Sequence, residues 1–274
     1  MLKKHVELIE HLEPLKLYCK MPNSFFQFKQ FTVHQDQCAM KVCTDACLFG
    51  GWMNEVIARN RLSFSNALDI GTGTGLLSLM LAQENGIDID AIEINENAAN
   101  QAIQNVAASP WKNKVHIYNQ SLQEFAPQKK YDFIFSNPPF FENDLTSSDK
   151  NKNAAKHDST LILDVLIDFI KNNLAETGYA AVLLPFHRTT YIETLLERQS
   201  LFIIEKMQVR QSVSHSFFRT MIFFSNRKVK LSSVKEMSIH DESRNYTEAF
   251  GKLLSRYYLA PSIPQGGSYP TNTE

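Results

Sequence analysis

Between residues 66 and 185 the chain alternates short, almost continuously apolar runs with longer amphipathic ones, and this alternation rules out most architectures. NALDIG (66–71), IDIDAIEIN (87–95), KVHIYNQ (114–120), YDFIFSN (131–137) and YAAVLLP (179–185) have the length and apolar character of strands. LLSLMLAQEN (76–85), ENAANQAIQNVAAS (96–109) and DSTLILDVLIDFIKNNL (158–174) between them have helical periodicity. Strands apolar throughout their length need cover on both faces, and strands joined through helices run parallel. The expected fold is α/β and Rossmann-like, with helices on both faces of the sheet. The pattern changes after residue 187: a helix, TTYIETLLERQS (189–200), precedes LFIIEKMQVRQS (201–212) and FFRTMIFFSNRK (217–228). The gap at 213–216 is too short for a crossover helix, so these last two strands pair antiparallel. The prediction is therefore a mostly parallel seven-stranded sheet ending in an antiparallel hairpin.

The rest of the chain divides around this core. Residues 1–20 read as an N-terminal extension holding a short amphipathic helix, with Leu2, Val6 and Ile9 on one face and a stop near Pro14. The main domain is expected over 21–260; it opens with alternating Phe25, Phe26, Phe28, Phe31 and Val33, which suggest a hairpin or edge strand. TEAFGKLLSRYYL (247–259) reads as a final helix, and residues 261–274 have the composition of a disordered tail. Hydrophobic residues make up 43% and charged ones 21% of the 274 residues, which excludes wholesale disorder. No apolar run approaches the ~20 residues of a bilayer helix, and the charged start lacks a signal-like apolar centre. The expectation is a cytoplasmic protein, monomeric and without a membrane partner.

Cys19, Cys38, Cys43 and Cys47 form no C-x-x-C pair and have no His/Cys partners at zinc spacing, so no metal is expected and the thiols read as small hydrophobes. The net charge is −1, but Lys206 to Lys235 holds seven Lys/Arg and no acid, a stretch suited to tracking phosphates.

Asp69-Ile-Gly71-Thr-Gly73-Thr-Gly75 lies where the first core strand turns into a helix, and glycines there let backbone approach a ligand closely. Leu76 stands where a dinucleotide fingerprint needs glycine, so the loop suits a ligand without a pyrophosphate. S-adenosyl-L-methionine is such a ligand. Glu93, at the end of the next strand, is placed to accept hydrogen bonds from both ribose hydroxyls of its adenosyl group. Asp69 is expected to orient the loop or to meet the ligand's ammonium through water.

Asn137-Pro138-Pro139-Phe140 follows the fourth core strand directly. The exocyclic nitrogen of adenine is a poor nucleophile because its lone pair is delocalised into the ring. Two acceptors gripping its N–H groups, the Asn137 side-chain oxygen and the Pro138 carbonyl, draw it toward tetrahedral geometry. The two prolines stiffen the turn and Phe140 offers a face for stacking an extruded base. The chemistry expected is methyl transfer to a planar amine or amide nitrogen, with Asn137 in both the catalytic and the cofactor-binding set.

Together with FKQFTVHQD (28–36), AMKVCTDACLFGGW (39–52), AKHDSTL (155–161) and YTEAFGKLLSRYYL (246–259), these motifs resemble the bacterial tRNA(1)(Val) (adenine(37)-N(6))-methyltransferases. The likeness spans approximately 21–260. It implies a class I methyltransferase fold, S-adenosylmethionine as methyl donor and the tRNA adenine beside the anticodon as acceptor. It implies further that residues 21–60 cover the cofactor, with Lys41, Thr44 and Asp45 in the pocket. Ser121 stands where many methyltransferases place an Asp near the adenine ring, and Cys43 and Cys47 stand where the family commonly has glycine. Candidate RNA contacts are Lys156 and His157, in a polar loop with Lys150 and Lys152, together with Arg188, Arg210, Arg219, Arg227 and Lys228. The alternatives are N6-adenine methylation of ribosomal RNA or DNA, N5-methylation of a protein glutamine, and a non-catalytic RNA-binding scaffold.

Overall fold

The computed structural model describes residues 24–38, 41–139, 163–228 and 234–259. The expected helix within 1–20, Cys19 and the tail 261–274 lie outside the described residues. β1 (Phe25–Gln27) and β2 (Thr32–His34) form the antiparallel hairpin anticipated from the phenylalanine alternation, as a small sheet of their own. The main sheet contains β3 (Asn66–Ile70), β4 (Asp88–Glu93), β5 (Val115–Asn119), β6 (Tyr131–Ser136), β7 (Leu174–Pro185), β8 (Phe202–Ser212), β9 (Phe217–Ser225) and β10 (Val234–His240). Its order is β10-β8-β9-β7-β6-β3-β4-β5. All neighbours run parallel except β9, which is antiparallel to both β7 and β8.

The sheet therefore has eight strands rather than seven. The additional one, β10, pairs with β8 as an edge strand whose buried side chains are Met237 and Ile239. Its remaining positions are mostly polar or charged, so a half-covered edge strand reads in sequence as a loop.

The helices are α1 (Thr44–Arg59), α2 (Leu76–Asn85), α3 (Glu96–Ala107), α4 (163–173), α5 (Thr189–Arg198) and α6 (Glu248–Leu254). Two apolar cores result, as a doubly wound sheet requires. One joins α1, α2 and α6 to residues such as Phe133, Phe135, Met221 and Phe223. The other joins α4 and α5 to Leu68, Ile134, Val182 and Phe224.

Sequence periodicity does not single out α1, because Gly50 and Gly51 lie in its middle and glycine costs a helix about 1 kcal/mol each relative to alanine. Packing explains them. A Cβ on Gly50 would sit 2.6 Å from the Met80 sulfur, and one on Gly51 would sit 3.0 Å from the Leu253 carbonyl oxygen. The glycines let α2 and α6 press against α1, and the buried contact holds the helix where propensity does not.

The order of strands reverses between β3 and β6. From β3 the chain builds outward through β4 and β5; from β6 it builds the other way through β7. The loops leaving β3 and β6 diverge there and open a crevice at the carboxyl ends of the strands. The β1–β2 hairpin is fastened to one wall of that crevice by Asn105 of α3, which is 1% exposed. Its amide oxygen accepts from His34 N (2.9 Å), and its amide nitrogen donates to the carbonyls of His34 (2.9 Å) and Thr74 (2.9 Å). Asn105→Ala removes all three bonds and leaves buried backbone groups unsatisfied. It is expected to cost about 2–3 kcal/mol, measured as a fall in the urea unfolding midpoint at unchanged slope.

Candidate active site

β3 ends in Asp69 and Ile70, and the loop 71–75 then enters α2 with Gly71, Gly73 and Gly75 all at positive φ (+74°, +56° and +84°). Gly71 N and Thr72 N both donate to the Ile92 carbonyl (2.9 and 3.0 Å), which ties the loop to β4. A Cβ added at Gly71 or Gly73 would meet nothing within 4 Å. The glycines are thus required by backbone conformation, and their open side faces the crevice.

Asp69 is fully buried. Its Oδ2 accepts from the hydroxyls of Thr72 (2.7 Å) and Ser78 (2.7 Å), so one carboxylate holds both the loop and the first turn of α2. Its Oδ1 is buried with no partner. Burial pushes this carboxyl up from its ordinary 3.8 to about 6, against the lowering effect of the Thr72 and Ser78 hydrogen bonds. Of the two roles expected for Asp69, orienting the loop is the one its contacts perform.

Glu93 closes β4 with both oxygens engaged by backbone: Gly73 N donates to Oε2 (2.9 Å) and Asn95 N to Oε1 (2.9 Å). Each carboxylate oxygen retains a further lone pair, so the fixed group can still accept from a ligand's hydroxyls. Asn119 at the end of β5 donates to the carbonyls of Glu93 (2.8 Å) and Ile94 (3.2 Å), steadying the same strand end. Ser121 lies just beyond, its hydroxyl donating to Glu124 Oε2 (2.8 Å) within a local turn.

β6 delivers the other wall. Ser136 pairs with Ile70, and its hydroxyl donates to the Ile70 carbonyl (2.8 Å), so the ends of the two central strands are locked together. Asn137 and Pro138 come immediately after, Pro138 buried and Pro139 exposed. The Asn137 side-chain oxygen is buried and has no hydrogen-bond partner. A buried acceptor left unsatisfied costs about 1–3 kcal/mol, so a fold that keeps one beside its crevice holds it ready for a donor. Phe140 lies outside the described residues, as do Lys150, Lys152, Lys156 and His157.

The leading segment reaches the same crevice. Gln37 N donates to the Gln101 side chain (3.1 Å), and Val42 N to the side chain of buried Gln35 (2.7 Å). Lys41 and Thr44 are both exposed, while Asp45 pairs with Arg219 Nε of β9 at 2.7 Å. Asp45, expected in the ligand pocket, and Arg219, expected on RNA, are thus partners in one ion pair. Cys43 has an extended backbone (φ −121°) and Cys47 is helical, so neither place needs a glycine's positive φ. Cys38, Cys43 and Cys47 are free thiols, and burial pushes Cys38 up to about 11 and Cys47 up to about 12, which keeps them neutral.

Several cations of the acid-free stretch have carboxylate partners. Lys206 pairs with Glu193, Arg210 with Glu236 and Lys235 with Glu205, so carboxylates lying just outside the stretch answer it. Arg188 is 8% exposed. Arg227 and Lys228 come after Ser225, which pairs with Tyr179 and Phe202 at the end of the sheet opposite the crevice. There Arg227 helps to line a depression of about 270 Å³ with Arg61, Phe64, Asp132 and Tyr179. The strand direction of β9 therefore separates these two candidate RNA contacts from the crevice end of the sheet.

Residues 53–163 match the methyltransferase small domain family model. A tRNA1(Val) (adenine(37)-N6)-methyltransferase of Cytophaga hutchinsonii is 36% identical over 242 residues, 87% of this chain and 99% of that protein. One of the same name from Trichodesmium erythraeum is 37% identical over 244 residues, again 87% and 99%. The chain belongs to this methyltransferase family. Solved structures share the fold at low identity. A predicted O-methyltransferase from Agrobacterium tumefaciens superposes with a TM-score of 0.59 at 12% identity, over 78% of this chain and 98% of that one. The hMettl16 catalytic domain, solved in complex with an RNA hairpin, gives 0.56 at 17% identity, over 75% and 79%. Among the described residues there is no group of three or more His, Cys, Asp or Glu side chains able to hold a metal, and no helix long and apolar enough to cross a membrane.

The raised Asp69 value has a measurable consequence. The folded protein holds a proton near pH 5 that the unfolded chain releases. This group therefore favours folding fully below about pH 4, and the contribution is lost as pH rises through 6. Asp69→Asn does not titrate, so the stability of the variant relative to the ligand-free wild type is expected to improve between pH 5 and pH 7.5. A constant difference in urea midpoint across that range would count against the assignment.

Proposed function

We propose that this protein transfers a methyl group from S-adenosylmethionine to the exocyclic N6 of an unpaired adenine in a tRNA anticodon loop, the adenine beside the anticodon of a valine tRNA. The observation that carries the reading is the buried, unpartnered oxygen of Asn137, set beside a glycine loop with open space above it. Family membership supports the substrate.

The residues present fit the donor. The open side of Gly71 and Gly73 admits a ligand against backbone, Glu93 is fixed to accept from ribose hydroxyls, and Asp69 holds the loop through Thr72 and Ser78. Ser121 is assigned the adenine end of the ligand, and Lys41, Thr44 and Asp45, which is paired with Arg219, are assigned to the segment covering it. When bound, S-adenosylmethionine supplies an already activated methyl group.

The protein's task is then the nucleophile. Asn137 Oδ1 accepts one N6–H and the Pro138 carbonyl accepts the other, which localises the nitrogen lone pair and aims it into the crevice. Pro138 and Pro139 restrict the turn so that the two acceptors converge on one point. Neither acceptor is basic enough to keep the proton that N6 loses, so it passes to water. Phe140 is assigned the face on which the base stacks. An anticodon-loop base suits this arrangement because it leaves its stack at little cost. Arg210 and Arg219, on the crevice half of the sheet, with Lys156 and His157, are assigned to the RNA. The acting form in this reading is a monomer in the cytoplasm.

Transfer of label from S-adenosylmethionine to unmodified tRNA, DNA and protein, with nucleoside analysis of the products, tests the reading. N6-methyladenosine in tRNA alone is the expected result; label confined to DNA or protein overturns the substrate. Asn137→Ala is expected to abolish transfer while changing the cofactor dissociation constant less than tenfold by calorimetry. Glu93→Ala is expected to do the reverse at the binding step, weakening the cofactor about tenfold or more through loss of a charge-assisted acceptor worth ~1.5–3 kcal/mol.

A further inference from the structure

At the crevice end of the antiparallel pair the register slips. Val209 of β8 faces Arg219 of β9, but Arg210 faces Phe217, so β9 carries one extra residue, Phe218. Such a bulge re-aims the side chains around it, and bulges gather beside functional sites. Here its result is a pair of adjacent phenylalanines, each capped by a guanidinium. Arg210 lies 5.1 Å from the Phe217 ring centroid and Arg219 lies 5.2 Å from that of Phe218. Phe186, just after β7, adds a third ring 5.4 Å from Phe217. Arg210 is steadied from behind by Ser238 Oγ (2.9 Å) and Glu236 (3.4 Å), and Arg219 by Asp45. Phe186 and Phe217 are half-buried at the rim rather than packed in either core, and Val213 on the same hairpin tip is 48% exposed.

We propose that this aromatic–arginine ledge, Phe186, Phe217 and Arg210, seats the unpaired nucleotides next to the target adenine. The proposal rests on the tRNA reading above and identifies where that substrate is held outside the reaction crevice. The chemistry favours single-stranded RNA. Aromatic faces take any base by stacking, and a guanidinium lying on a ring both stacks and meets the neighbouring phosphate. Position favours it too: β9 is two strands from β6, about 10 Å at ordinary strand spacing, so nucleotides flanking a base inserted at Asn137 pass over the ledge. A duplex would present no free base faces here, which is why the ledge suits a loop.

Steady-state methylation of an unmodified tRNA by wild type, Phe217→Ala and Phe217→Trp, with cofactor affinity measured alongside, tests the proposal. Phe217→Ala is expected to raise KM for tRNA about 5- to 150-fold, the range for loss of one base–aromatic stack, with kcat and the cofactor dissociation constant little changed. Phe217→Trp is expected to restore KM. An unchanged KM in the alanine variant, or failure of tryptophan to rescue it while cofactor binding stays intact, overturns the ledge alone. Wild type that methylates no tRNA brings down the reading beneath it as well. Photocrosslinking of wild-type protein to an anticodon stem-loop carrying 4-thiouridine beside the target adenine gives a check that depends on no variant's folding. Crosslinks within 186 or 210–217 support the ledge, and crosslinks confined elsewhere overturn it.

Discussion

At the end of β3 a carboxylate sits with no exposure to solvent, and much of the crevice is arranged around it. Asp69 accepts the Thr72 and Ser78 hydroxyls, fixing the path of the glycine loop and the start of α2 together. Burying that charge is costly, as its raised value records, and the bonds it accepts offset only part of the cost. Other contacts depend on it in turn. The loop so held presents Gly73 N to Glu93, and it presents the Thr74 carbonyl to Asn105, which itself carries the β1–β2 hairpin. A displacement at Asp69 would therefore be felt at Glu93 and at the β1–β2 hairpin alike.

The second wall is held by a different device. Ser136 ties β6 to β3 just before the chain leaves the sheet at Asn137. The two prolines after it supply stiffness, while the unsatisfied Asn137 oxygen supplies the directed polarity. The Asp69 oxygen with no partner has the same character. Native folds bury such atoms sparingly, and here both lie next to the strand ends where the topology opens the sheet.

Charge is distributed less simply than the linear sequence suggests. The run from Lys206 to Lys235 is acid-free along the chain, yet Glu193, Glu205, Glu236 and Asp45 all fold against its cations or their neighbours. Glu205 meets Arg59 and Lys235, and accepts from Trp52 as well. In linear order the run has one sign, because the distant strand or helix that will lie beside each cation is not adjacent to it along the chain. The antiparallel direction of β9 then carries Arg219 to the crevice and Arg227 to the far end.

Apolar runs alternating with helical periodicity were enough to determine the succession of strands from β3 to β9 along the chain, the parallel core and the residue types of the loops after β3 and β6. Strand burial on both faces and the chemistry of glycine and proline leave direct marks on composition. The resemblance added the expectation that the first segment covers the cofactor, which periodicity does not contain. Tertiary structure alone decided α1, whose glycines make sense only against Met80 and Leu253, and β10, an edge strand held by β8. It alone joined Asp45 to Arg219 and turned Phe217 toward Arg210 through a one-residue bulge. Local sequence encodes which backbone shapes are cheap; which side chains become neighbours depends on strand order and register, and those emerge only when the sheet closes.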